Sequence, residues 1–209
     1  MTEKVERLSD TLTRRDPKLE ALVQRALASG VTAATIVLTA DIVIDNRLSD
    51  MCRETRCEGY GMSMSCPPHV SGPNGFRKLL KKFCNALFFK VEVPSDLLFS
   101  SERREVFRLL HQLAAGIEEQ AVNMGFSEAR AYAGGSCKQI FCHEHPYCRA
   151  LSEESRCRNP LHARPSMSGF GINVESLIET AGWTDHLITR DAEPDRTEMT
   201  PLYGLVLIS

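Results

Sequence analysis

The sequence predicts a single α/β domain over residues 1–209, with a roughly four-stranded mixed sheet, flanking helices and two cysteine-bearing loop regions. Three observations predict it. Short β-branched and aromatic runs alternate with longer segments of helical periodicity, the pattern of helices layered on a sheet. No low-complexity linker divides the chain and no internal repeat implies a solenoid. Seven of the eight cysteines gather in two compact groups, within stretches that Gly and Pro keep out of regular structure.

In chain order, Pro17 to Ser29 reads as a helix: Pro17 suits a first-turn position, Leu19, Leu22, Val23, Ala26 and Leu27 recur at helical spacing, and Gly30 ends it. Ala33 to Ile44 is apolar and β-branched and should contain a strand, followed by a polar stretch that delivers Cys52 and Cys57. Gly59, Gly61, Pro67, Pro68, Gly72, Pro73 and Gly75 punctuate the next segment, so the first cysteine group closes in a loop. A short helix over Phe76 to Lys82 feeds a strand at Ala86 to Val93, whose aromatic content fits a buried sheet position. Cys84, beside Phe83, Phe88 and Phe89, reads as a small core residue.

From Ser101 a helix runs to about Met124, with Val106, Leu109, Leu110, Leu113, Ile117 and Val122 as its apolar stripe and Gly125 as its stop. Ala129 to Ala133 is a strand ending in Gly134 and Gly135, and the second cysteine group hangs off that strand end. Asn159 to Gly171 is again broken by Pro and Gly. Asn173 suits the N-cap of a helix over Val174 to Ala181, and Leu202 to Ile208 is a terminal strand.

The chemistry lies in the cysteines. Cys52, Cys57 and Cys66 follow the spacing C-x4-C-x8-C, and Cys137, Cys142, Cys148 and Cys157 the spacing C-x4-C-x5-C-x8-C. Thiolate sulfur is the preferred ligand of soft and borderline metals, and loops let several sulfurs approach one centre. Structural zinc sites favour paired C-x2-C knuckles, which this chain lacks, whereas an iron–sulfur cubane presents separate irons and tolerates wider spacing. The expected cofactor is therefore one or two [4Fe-4S] clusters, with zinc as the alternative. Cys84, His69, a small molecule or a cysteine of the second group are the candidates for the fourth position of the first group. His143 and His145 stand between Cys142 and Cys148 but read as solvated loop residues.

Disulfides are the competing explanation. The opening MTEKVERLSDTLTRRDPKLE is dense in charge and has no secretory apolar core, and no window approaches a membrane span, so a cytoplasmic protein with reduced thiols is expected. With 43% hydrophobic residues the chain can build an ordinary core without disulfide staples. A formal net charge of -2 recruits neither nucleic acid nor an anionic membrane. Locally, Arg77, Lys78, Lys81 and Lys82 read as a solvated helix face, while Arg149, Arg156, Arg158 and Arg164 are placed to offset thiolate charge.

Three stretches together carry a resemblance. They are Cys52-x4-Cys57-x2-Tyr60-Gly61-x4-Cys66-Pro67-Pro68, then Gly134-Gly135-Ser136-Cys137 through Cys157-Arg158-x-Pro160, and finally Arg164-Pro165-Ser166-Met167 through Gly171-Ile172-x-Val174. In these the chain resembles the family of predicted metal-binding proteins. The resemblance implies a metal or iron–sulfur protein. Nucleotide loops, an H-E-x-x-H zinc helix and a G-x-S-x-G elbow do not occur, which leaves an unassisted hydrolase or a dinucleotide enzyme without support. The function expected is electron transfer, with a redox partner protein, or service as an accessory to an anaerobic metalloenzyme. A zinc-stabilised adaptor and an enzyme that binds substrate at an open cluster iron are the rival classes.

Overall fold

A computed structural model describes residues 16–55, 57–152, 156–185 and 198–209; the charge-dense opening, residues 1–15, lies outside them. Helix α1, Pro17–Ala28, starts where the Asp16 carboxylate accepts the Lys18 N–H at 2.8 Å, which satisfies a donor that the first turn leaves free. It buries Leu19, Leu22, Val23 and Ala26. Strand β1, Ala33–Leu38, follows, and then a single turn of 3-10 helix over Thr39–Asp41.

The polar stretch after it is a helix, α2, Asn46–Glu54, with no buried residue. Its sequence lacks an apolar stripe, so periodicity does not reveal it; the Asp45 cap, whose carboxylate takes both the Arg47 N–H and the Arg47 guanidinium, is the signal that marks its start. Residues 57–71 are irregular, and α3, Gly72–Leu80, leads into β2, Asn85–Pro94. A short helix α4, Ser95–Leu98, precedes the long α5, Arg103–Asn123. Strand β3, Ala129–Ala133, the short α6, Cys137–Phe141, helix α7, Val174–Thr180, and strand β4, Met199–Ile208, complete the described elements together with two short 3-10 helices, Arg149–Leu151 and Met167–Phe170.

The four strands form one sheet in the order β1-β2-β4-β3, and every neighbouring pair is antiparallel. The expected mixed sheet is thus corrected. Because β2 and β3 both oppose β4, the β2–α5–β3 crossover does carry two strands that point the same way, as its helical connection suggests. They never become neighbours, since the last strand occupies the space between them.

Both faces of this sheet are covered. Leu87, Phe89, Val91 and Val93 of β2 point into one core with α1 and α5, while Ala86 and Phe88 point into a second with Phe76 of α3, Met167, Phe170, Ile172 and α7. Coverage on both sides is why β2 is buried at consecutive positions instead of every second one. On α5 the stripe differs from the one expected: Leu109 and Val122 are exposed, while His111, Ala114, Ala115 and Ala121 are buried with Leu110, Leu113 and Ile117. Small alanines let the helix lie close to the sheet, so the contact face is set by side-chain size as well as by apolarity.

The outer edge of β3 is protected. The Glu118 carboxylate on α5 accepts the Ala131 N–H at 2.8 Å and Pro165 O accepts the Ala133 N–H at 3.1 Å, so two edge donors that would otherwise face outward are satisfied. The Arg164 guanidinium pairs with the other oxygen of Glu118. Together these contacts lay the segment 164–166 against the end of β3, beside the departure point of the second cysteine group.

Candidate metal centre

Cys52 sits in the last turn of α2, and its carbonyl accepts the Cys57 N–H at 3.1 Å, so the first two thiols are tied across the helix end. Turns then carry the chain to Cys66: Tyr60 N–H bonds Cys57 O, Gly61 N–H bonds Pro67 O at 2.7 Å, and Cys66 N–H bonds Ser63 O. A bond from Ser166 N–H to Ser65 O docks this loop on the segment beside β3. The first group therefore arrives at the end of the strand from which the second group leaves.

That departure is built on glycine. Gly135 has φ of +85°, a conformation that costs other residues, and a Cβ there would sit 3.0 Å from the Phe107 ring. Ser136 follows, and Cys137 is the first residue of α6. Gly59, from the first loop, presses against Ser136 so closely that a Cβ would lie 2.8 Å from the Ser136 Cβ. This approach brings the groups together: the Cys66 thiol donates to Ser136 Oγ at 3.5 Å.

Electrostatics record the same convergence. Burial pushes the Cys137 thiol up to about 11; the Ser65 and Ser63 hydroxyls oppose the shift, and the nearby Cys66 and Cys157 add to it. Cys52 is pushed to about 11 as well, by burial first and then by Cys57 and Cys66. Cys66 thus raises the pKa of a thiol in each group, Cys52 in its own and Cys137 in the second.

The remaining thiols are placed by the second loop. Asn159 serves two of them: its side-chain amide donates to Cys142 Sγ and its backbone N–H donates to Cys157 Sγ, each at 3.3 Å. Cys148 is half-buried and lines a small hollow with Gly61 and Met62, so the second loop folds over the first. All eight cysteines are free thiols. Among the described residues no three Cys, His, Asp or Glu side chains converge closely enough to hold one metal ion.

Cys84 is a correction. It is exposed instead of buried in the core, because it sits in the turn before β2, outside the sheet. The register also removes it from the site. Its neighbour Asn85 is level with Ile208 and Ala129, at the end of β3 opposite Ala133, from which the second group departs. His69, His143 and His145 are exposed. His143 Nε2 lies 3.1 Å from the Arg104 guanidinium.

The arginines of the second group hold backbone. Arg149 donates to the carbonyls of Arg156 and Cys157, Arg158 donates to Tyr147 O, and Arg164 pairs with Glu118. The cation buried inside the group is Lys138, 7% exposed, whose Nζ donates to Cys142 O at 2.8 Å and His145 O at 2.7 Å. No carboxylate pairs with this ammonium among the described residues; the two carbonyl oxygens are its partners.

His111, absent from the sequence reading, clamps the whole segment. Its Nε2 lies 3.0 Å from Gly134 O and its Nδ1 lies 3.1 Å from Arg164 N, so one buried ring joins the residues that open and close the second loop. A carbonyl only accepts and an amide N–H only donates, which fixes the neutral tautomer with the proton on Nε2. Burial holds its pKa down at about 4, the bond to Gly134 opposing and the Arg164 charge assisting. Its only signal in the sequence is a polar residue within an otherwise apolar helix face.

With this geometry in view, a family model described as predicted metal-binding protein, domain of unknown function 2284, matches residues 35–208. No curated protein and no solved structure matches the chain.

Proposed function

Since the chain belongs to the family of predicted metal-binding proteins, we propose that its two cysteine groups hold iron–sulfur clusters and that the protein is a cytoplasmic electron carrier or an accessory to an anaerobic metalloenzyme. The observation that carries this reading is the contact of Cys66 Sγ with Ser136, the residue before Cys137, at 3.5 Å, which brings together two cysteine groups about seventy residues apart in the chain. Cys137, Cys142, Cys148 and Cys157 would hold one [4Fe-4S] cluster. Cys52, Cys57 and Cys66 would hold a second, whose fourth iron has no protein thiol because Cys84 lies at the far end of the sheet.

Two features support a cluster over a single zinc. Lys138 supplies a buried positive charge beside thiolates that, with a cluster, carry net negative charge. The Asn159 side-chain amide and backbone N–H already donate to the sulfurs of Cys142 and Cys157, the type of contact that tunes a cluster's potential. A bound cluster would supply one-electron transfer; the chain's own residues hold it, screen it and place Cys148 toward the surface hollow.

Purification without oxygen, followed by iron, acid-labile sulfide and zinc analysis, tests this. About eight irons and eight sulfides per chain, with visible charge-transfer absorption that bleaches in air, are expected for two clusters. About four irons would replace the two-cluster arrangement by one centre. One zinc without sulfide, in a colourless protein, would overturn the iron–sulfur reading and favour a structural adaptor.

A further inference from the structure

We propose that the cavity between the first turn of α5 and helix α6 binds a small organic oxyanion, a carboxylate or a phosphate ester. The cavity measures about 430 Å³, a size that fits a metabolite. Arg103 and Arg104 form one wall. Neither has a carboxylate within ion-pair distance among the described residues, in contrast to Arg108 on the next turn, which pairs with Glu105.

Both guanidiniums keep donors available. Arg104 spends one N–H on His143 Nε2, and Arg103 stacks 5.4 Å above the Phe107 ring, an arrangement that orients its plane while leaving its edge open. The positive end of the 21-residue α5 reinforces the charge at this wall. Phe107 and Ile140 supply an apolar floor, and Gly135, lacking a side chain, leaves room above it. Glu58 is the one carboxylate in the lining, and its Oε2 is engaged by the Gln139 amide at 2.9 Å, so the cationic wall keeps the excess.

The far end of the cavity is what gives the site its place. Ser136 lines it and also touches Cys66 Sγ, and Glu58 follows Cys57 directly in the chain. A molecule anchored by its anionic group on Arg103 and Arg104 presents its other end to the first cysteine group, the one that lacks a fourth thiol. Anion binding requires no cluster; only its use as a substrate at an open iron rests on the iron–sulfur reading.

Calorimetric titration of the full chain, purified without oxygen and held at low ionic strength, tests the site with succinate in one arm and inorganic phosphate in the other. Saturable binding in one arm is expected, and the arm that binds identifies the anion class. Arg103→Gln and Arg104→Gln should each weaken it about tenfold, since each removes a charge-assisted hydrogen bond. Lys82→Gln, a charge lost two residues from Cys84, should leave it unchanged. No binding of either anion, or equal binding in wild type and both arginine variants, overturns the proposal. Iron and sulfide are measured on the same samples: tight binding by iron-free protein supports the anion site while refuting the iron–sulfur reading, and lost binding in fully loaded arginine variants supports the site with that reading intact.

Discussion

His111 joins Gly134 to Arg164 only while its Nδ1 is unprotonated, because a proton there removes the acceptor for the Arg164 N–H. Its pKa falls from the ordinary 6.5 to about 4 on folding, so the unfolded chain takes up a proton near pH 6.5 and the folded one does not until about pH 4. The stability this residue supplies is therefore present above pH 6.5 and lost as pH falls toward 4. Between pH 7 and pH 5 the loss should be about 2 kcal/mol. Urea unfolding followed by the fluorescence of Trp183, which stacks on Phe88 in the core, measures it, and His111→Gln should flatten that part of the pH dependence. The two raised thiols act in the opposite sense on loading. Cys52 and Cys137 keep their protons at neutral pH, and a metal must displace them. Affinity for iron during reconstitution should fall about tenfold per such thiol for each unit of pH lost between 8.5 and 6.5, with protons released on binding.

At the scale of elements, the described residues from α6 to Asn159 are tied to one another by side-chain bonds to backbone and sulfur. Lys138 fastens the turn after Cys142, Asn159 reaches two sulfurs, and Arg149 and Arg158 close the backbone around Cys148. Cys142→Ser or Cys148→Ser should remove the centre held here and loosen residues 134–171, read as lost iron and sulfide and faster amide exchange. Unchanged iron in both variants would sink the assignment. The first group depends on α2 and on a loop docked through Ser65 and Ser166. Cys57→Ala should lose only the first centre and leave the second spectroscopically intact, whereas Cys84→Ala, at the far end of the sheet, should keep the full iron content. α2 is also where sequence reading was least informative: a polar helix with no buried residue leaves no hydrophobic period to detect.

At the scale of the molecule, the sheet is a rigid platform with its chemistry at one place. Ala133 ends the edge strand beside Phe107 and Leu110 of α5, and the turn after it places Ser136 against Gly59 of the first loop. The two cysteine groups, the His111 clamp and the arginine-walled cavity all gather there, while Cys84 and Trp183 lie elsewhere. No helix among the described residues is long and apolar enough to cross a membrane.

The sequence by itself determined the elements whose signals are local. Pro17 and Gly30 bracket α1, Asn173 caps α7 through the Ser176 N–H, Gly134 and Gly135 end β3, and the cysteine spacing marks the two groups. Each follows from a few neighbouring residues whose backbone preferences or ligand chemistry need no distant contact. Only the tertiary structure decided the rest. The antiparallel order arises because β4, the last strand, inserts between β2 and β3, a choice that no window of sequence contains. The exposure of Cys84 depends on where β2 begins relative to its neighbours, and the contact of Cys66 with Ser136, next to Cys137, depends on two loops, about seventy residues apart, docking on the same strand end. His111 acquires its role in the same way, since its partners Gly134 and Arg164 reach it only when α5 lies against β3.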